Sequence, residues 1–300
     1  MKNLAILAAL AALVLVYPAA VRADNDPMIS NCTGCDLANV DWRGKNLRGA
    51  HFAGTNFNHA NLQHADLRDA HLAGVDFQDT DLRGADLRGA NLAGCDLRGA
   101  RLQGALLDGA HFAGIDLSRG ALDQLDSASA RAILGACAGC DLQAANLPGR
   151  ILRDIHVQGS DLRDSIFENA DLRGAHFEGA DLQRARLHAA QLQDARLDGS
   201  DVKRADLSGA RLDRARILGS DAAYANLSNA VLDDAALCFR ERDGRIDCTD
   251  LSGANLRGAA MHRIRLCSAD SSRRSELCDE RVSAQMLRDL AHANLDGASL

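Results

Sequence analysis

Aromatic residues and proline are scarce in this sequence. Its 300 residues include three prolines, and Phe, Trp and Tyr together make up 3%. Alanine and leucine together supply most of the apolar content, which suits a thin core that admits little bulk. The apolar run from Leu4 to Val16, about 13 residues, is short for a bilayer span. Also missing are a nucleophile with an adjacent base, a phosphate-cradling loop and an acid pair that stands apart from its surroundings, so neither an enzyme nor a cofactor is expected.

What is present instead is a period of five. Every fifth residue from Leu37 to Leu122 is large and apolar, and the same holds from Leu142 to Leu237 with one lapse at Ala222. The unit is plain in Ala65-Asp66-Leu67-Arg68-Asp69 and Ala85-Asp86-Leu87-Arg88-Gly89: a small residue, then Asp or Asn, then Leu or Phe, then two polar or small positions. Five matches neither the 3.6-residue period of an amphipathic helix nor the alternation of a strand. An internal repeat is therefore the primary signal.

The run of A(D/N)LxG units resembles the pentapeptide-repeat family over most of the chain, with dozens of units in phase. That resemblance implies an all-β fold, a right-handed quadrilateral β-helix in which four pentads make one coil. The central Leu or Phe and the small residue two before it would point inward, and the other three positions would face water. One large and one small side chain per face packs a narrow core without cavities, and each coil hydrogen-bonds to the next as strands do.

Residues 1–23 do not share the repeat. Lys2, the apolar run, Pro18 and Val21-Arg22-Ala23 read as a cleavable secretory signal with a cut before Asp24; the alternative is an uncleaved anchor. No Cys follows the cut, which speaks against a lipoprotein. Losing Lys2 and Arg22 moves the formal charge from −7 to −9. Nine cysteines in an exported chain point to an oxidising compartment, periplasmic or secreted. Four local pairs are available: Cys32 with Cys35, Cys137 with Cys140, Cys238 with Cys248, and Cys267 with Cys278. Cys95 is left over at a small inward position, as a buried thiol.

Cys32-Thr33-Gly34-Cys35-Asp36-Leu37 and Cys137-Ala138-Gly139-Cys140-Asp141-Leu142 are one motif 105 residues apart, so the chain reads as duplicated. The expected organisation is a first repeat module at 24–122, a linker and capping helix at 123–136, a second module at 137–266 with a Cys-bounded hairpin at 238–248, and a Cys-bounded loop, short helix and terminal repeat at 267–300. Asp126 opens the linker helix as its N-cap. The alternative is one unbroken solenoid with Leu122 and Leu142, 20 residues apart, in phase. Eighteen and twenty repeat centres give about nine to ten coils, a rod of roughly 45 Å at ~4.8 Å per coil. Lys45 and Arg150 fall at inward positions, so a distorted coil or an escaping side chain is expected at each.

Residues 20 apart should stack. Phe57 would lie on Phe77 inside; outside, Asp141, Asp161, Asp181, Asp201 and Asp221 would form one column. A Ca²⁺-type cation would neutralise such a ladder, with Asp161, Asp181, Asp201 and Asp221 as candidate ligands; otherwise the repeat simply prefers Asp there, with Arg163 and Lys203 offsetting the charge. Arg48, Arg68 and Arg88 make a basic column beside Asn46, Asp66 and Asp86. His51 with His71 and His156 with His176 would also stack, either as the start of a transition-metal site or as a solvated face. The Cys-x-x-Cys pairs read as staples or buried thiols, because a redox role wants a helix N-terminus at the motif and a shared zinc site wants short spacings.

The resulting expectation is a non-enzymatic structural or protein-binding scaffold with a protein partner in the cell envelope. A cation-binding solenoid is the alternative. The resemblance adds a third reading, a DNA-mimic topoisomerase-binding protein with a broadly negative surface; here arginines interrupt the acid and the signal leads away from gyrase. No nucleic-acid partner and no membrane span after cleavage are expected, and an end-to-end homodimer is open.

Overall fold

The computed structural model describes residues 31–118, 120–270 and 275–300, so the expected signal at 1–23 lies outside the described residues. Each pentad folds as one corner and one side of a four-sided coil. In Leu62 to Ala65 the Leu62 carbonyl accepts the Ala65 N–H at 3.1 Å, and His64 takes a φ of 57°, a β-turn with positive φ at its second central residue. That corner recurs every five residues. Glycine is the usual occupant because L side chains resist positive φ. At Gly84 a side chain would also collide with the His64 ring one coil below, at 2.4 Å.

Four such corners return the chain to its starting face, one rung higher. Parallel bridges therefore link residues 20 apart, as in Asn46 to Asp66 to Asp86, with Leu47 N–H donating to Asp66 O at 2.8 Å and Asp66 N–H donating to Lys45 O at 2.8 Å. Beyond the first coil the large residue of the pentad and, with exceptions such as Arg150, the small one are buried, and one continuous apolar core runs from Leu47 to Leu295. Phe57 and Phe77 stack within it at 5.7 Å and 9°. Where the small position is a hydroxyl residue, a neighbouring carbonyl accepts from it, as from Thr80 Oγ1 to Phe57 O at 2.7 Å, so the buried oxygen is not orphaned.

We label the faces A to D by their first bridge residues, Asn31, Asp36, Asp41 and Asn46. The 20-residue step lengthens twice. The first time, Asp116 bridges to Asp141, 25 residues on, because the coil between them contains helix α1 (Ser127–Leu134) with Asp126 as N-cap, its carboxylate accepting from Ser129 N–H at 2.7 Å. Ala130, Ile133 and Leu134 fill the core there in place of pentad leucines. The ladder crosses this coil on faces A and B, through Gly114 N–H to Ala138 O and Leu117 N–H to Asp141 O. Leu142 thus lies over Leu117, and not over Leu122 as a constant step of 20 would require. Arg150 leaves the core by donating to Asp123 O at 3.0 Å.

The second long step is Asp221 to Asp250, 29 residues. Strands β1 (Ala236–Arg240) and β2 (Ile246–Cys248) form an antiparallel hairpin there. β1 pairs in parallel with β3 (Arg265–Asp270), which pairs antiparallel with β4 (Ser275–Arg281), giving the order β2-β1-β3-β4. Helix α2 (Ala284–Leu290), capped by Ser283, leads to a last segment that closes the final coil through Leu251 N–H to Ala291 O and Met261 N–H to Ser299 O. Disulfides join Cys32–Cys35, Cys137–Cys140, Cys238–Cys248 and Cys267–Cys278, and Cys95 is free and buried. No helix among the described residues is long and apolar enough to cross a membrane.

Candidate binding face

Face B is the acidic one. Its bridge positions run Asp36, Asn56, Asp76, Asp96, Asp116, Asp141, Asp161, Asp181, Asp201, Asp221 and Asp250 without a break. That is ten aspartates and one asparagine on eleven rungs, ten steps or about 48 Å at ~4.8 Å per step. A constant step of 20 breaks it into two runs of five, Asp36 to Asp116 and Asp141 to Asp221, and leaves Asp250 apart. The two long coils each shift the numbering while the backbone ladder keeps the column intact.

Local geometry explains the residue type. One carboxylate oxygen accepts the N–H two residues on, at 2.8 Å for Asp76 with Gln78, 3.0 Å for Asp181 with Gln183 and 2.9 Å for Asp250 with Ser252. This Asx turn holds the corner that follows. The other oxygen meets a neighbour. Arg163 contacts Asp161 and lies 3.6 Å from Asp181; Gln183 donates to Asp201 at 2.9 Å; Lys203 is 3.8 Å from Asp201 and 2.6 Å from Asp221. The hydrogen bond from Arg163 lowers the Asp161 carboxyl pKa below its usual value. Asp161, Asp181, Asp201 and Asp221 are therefore brought together with cations and amides between them. Among the described residues no three His, Cys, Asp or Glu side chains converge as metal ligands.

Face A has a different texture. His51 and His71 stack at 4.2 Å, and His156 lies 4.5 Å from His176. His176 Nδ1 is 3.3 Å from Glu178. Of the two Cys-x-x-Cys disulfides, Cys137–Cys140 is sealed in the core and Cys32–Cys35 is half-exposed at the first coil.

A model of the pentapeptide-repeat family matches in eight copies, over residues 30–69, 50–89, 65–104, 85–122, 151–188 and 190–229. The chain belongs to the pentapeptide-repeat family. Among solved structures, this pentapeptide-repeat protein is similar to HetL, involved in heterocyst differentiation regulation in the cyanobacterium Nostoc sp. strain PCC 7120, with 30% identity, 76% of this chain and 84% of that one covered, and a TM-score of 0.28. It is similar to full-length QnrB1, a plasmid-mediated fluoroquinolone resistance protein, at 17% identity, 75% and 92% coverage and a TM-score of 0.25. It is also similar to Rfr23 from the cyanobacterium Cyanothece 51142, at 22% identity, 43% and 86% coverage and a TM-score of 0.18. No curated protein matches the chain.

One polar constellation of this pentapeptide-repeat protein has no counterpart in the repeat pattern. His262 Nδ1 lies 2.7 Å from Asp233 Oδ1, and its Nε2 lies 2.9 Å from Ser299 Oγ. The order Asp-His-Ser is that of a nucleophile relay, but the Ser299 backbone is committed to Ala259 O and Met261 N–H. The three side chains fasten the closing segment to the last coils. They lie 29 and 37 residues apart in sequence, spanning both Cys-bounded hairpins, so spacing does not reveal them.

Proposed function

We propose that this protein is a non-catalytic scaffold of the cell envelope, periplasmic or secreted, that binds another protein through its flat faces. Members of its family are in general structural or binding proteins. The observation that carries the reading is the way the polar side chains are used. Carboxylates bond to their own turns and to neighbouring cations, which yields long, rigid, pre-ordered faces rather than a reactive cleft. Side chains already held in place lose little freedom on docking. Eight of nine cysteines in disulfides support an oxidising compartment, the destination to which the expected signal would send the chain.

The test is cross-linking capture with the exported chain as bait in parallel envelope and cytosolic extracts. A saturable envelope partner, lost when the contacting face is mutated, is the expected result; a topoisomerase captured from cytosol would overturn address and function together. The ten-aspartate column keeps the cation-binding reading in play. Calorimetry with Ca²⁺ on the wild type and on an Asp181→Ala, Asp201→Ala variant decides it, and absence of binding by either protein removes the reading. Against the DNA-mimic reading stand Arg98, Arg163 and Lys203, interleaved along the acidic column, and an unchanged DNA supercoiling assay would dismiss it.

A further inference from the structure

Histidine pairs on face A stand outside the bonding scheme of the other faces. At every bridge residue from Asp36 to Asp96 except His51 and His71, a side-chain oxygen accepts the N–H two residues on, at 2.8–3.4 Å. Imidazole at 51 and 71 forfeits that Asx turn. Neither ring gains a replacement, since neither has a hydrogen-bond or ion-pair partner among the described residues. Both rings are exposed. Their outward neighbours are Ala53 and Ala73, and a side chain placed on the next residue, Gly54 or Gly74, would meet nothing within 4 Å. The arrangement occurs twice. His156 and His176 follow His51 and His71 by 105 residues, the offset that also relates the two Cys-x-x-Cys motifs. Around them the second copy differs, with Gln158 for Ala53, Glu178 for Ala73 and Arg196 for Asn91, yet both imidazoles recur. In each pair a parallel bridge joins the two backbones and holds the rings 4.2 or 4.5 Å apart.

We infer that each imidazole pair, His51 with His71 and His156 with His176, binds one divalent late transition ion, Cu²⁺ more tightly than Zn²⁺, with water in the remaining positions. Imidazole nitrogen is a ligand that both ions favour. With metal–nitrogen bonds of about 2.0–2.1 Å, rings at this separation reach a common ion by a small turn of their side chains. The rungs hold the donors side by side before the ion arrives, so little freedom is lost on binding. The second pair has an additional feature of metal-ligating histidines. His176 Nδ1 lies 3.3 Å from Glu178, and a carboxylate on one ring nitrogen leaves the other as the ligand and raises its basicity. Arg196, one rung on and 4.0 Å from that carboxylate, is exposed, and its opposition is screened by solvent. Ca²⁺ takes oxygen ligands and has no place at either pair, which separates these sites from the aspartate column of face B.

The experiment uses protein expressed from the full sequence without a polyhistidine tag, its histidine rings labelled with ¹⁵N, and follows the imidazole resonances by NMR as Zn²⁺ is added. The expected result is that the signals of His51 and His71 shift together at micromolar Zn²⁺, as do those of His156 and His176, and that Cu²⁺ displaces the Zn²⁺. His51→Asn and His156→Asn each supply a side chain that can cap the turn, so the fold and its thermal midpoint should be retained. Each should weaken Zn²⁺ binding at its own pair by roughly tenfold or more and leave the other pair as it was. Rings that respond singly, or in one pair and not the other, overturn the inference. So does a pair that keeps its affinity without His51 or His156, or a set of rings that Ca²⁺ moves as readily as Zn²⁺. Because the readout is the rings themselves, the result is independent of the scaffold capture and of calorimetry on the aspartate column.

Discussion

At the scale of single residues, an aspartate before a central leucine can do two things at once: cap its own turn and meet a cation from its own or an adjacent rung, as Asp161 does with Arg163. Asp171 on face D is the tightest case, buried and gripped by Arg173 at 2.7 Å and Arg153 at 2.6 Å. The Arg173 hydrogen bond holds its carboxyl at about 2, with Arg153 adding to it and burial opposing. A depressed folded-state pKa contributes stability that is complete above the unfolded value, about 4, and is lost as pH falls toward 2. Asp171→Asn should therefore cost about 1–2 kcal/mol at pH 7 after allowing for solvent screening. Urea midpoints of the two proteins should differ at pH 7 and converge as pH falls from 4 to 2; a gap that persists at low pH would assign the loss to packing. The paired Cys-x-x-Cys motifs make a second residue-scale comparison. Thiolate attack needs access to a sulfur, so brief reduction of the native protein followed by alkylation and mass spectrometry should label Cys32 and Cys35 well before Cys137 and Cys140. Cys95, its thiol pushed up to about 12 by burial, should stay unlabelled until the chain unfolds.

At the scale of the element, the unit is the coil, and the pentad phase makes most of it legible. Leu67 and Ala65 inside, Asp66 outside and Phe57 over Phe77 all follow from a period of five with four units per turn. What the period does not carry is the step across an inserted segment. Asp116 pairs with Asp141 and Asp221 with Asp250 because backbone ladders on the neighbouring faces hold the register while α1 and the β1–β2 hairpin absorb the extra residues. The acidic column therefore looked five residues long when it is eleven, and Leu122 looked like the floor beneath Leu142 when Leu117 is. The repetition of Asp-Leu-polar at Asp116-Leu117-Ser118 and Asp141-Leu142-Gln143 was the signal for the true register. For α1 itself, the local capping chemistry is open to test. Asp126→Ala deletes the bond to Ser129 N–H and should lower stability by about 1 kcal/mol, read as a shifted thermal midpoint, whereas Asp126→Asn or Asp126→Ser should largely restore it.

On the scale of the whole molecule, the stack resembles a one-dimensional chain of coils, each stabilised by its own side chains and by its contact with the next. The coil that contains α1 is the weakest link in that chain. Faces A and B cross it by backbone hydrogen bonds, but among the described residues Leu102 and Leu107 on faces C and D have no backbone acceptor in that coil; the Gln103 to Gln124 side-chain bond at 2.8 Å is one of the few polar ties there. Apolar contact through Ile133 and Leu134, both fully buried, must therefore carry much of the coupling between the blocks on either side. Burying a carboxylate there is costly without a partner, and Ile133→Asp removes a filled core position at the same time. The wild type should melt in one transition. Ile133→Asp should split it in two, with amide hydrogen exchange accelerating around 120–140 while the rungs at 52–97 and 162–232 keep their protection. A single transition displaced as a whole, with protection lost evenly along the rod, would mean that the two ladder faces suffice to couple the blocks and that the helical coil transmits stability as well as any pentad coil does.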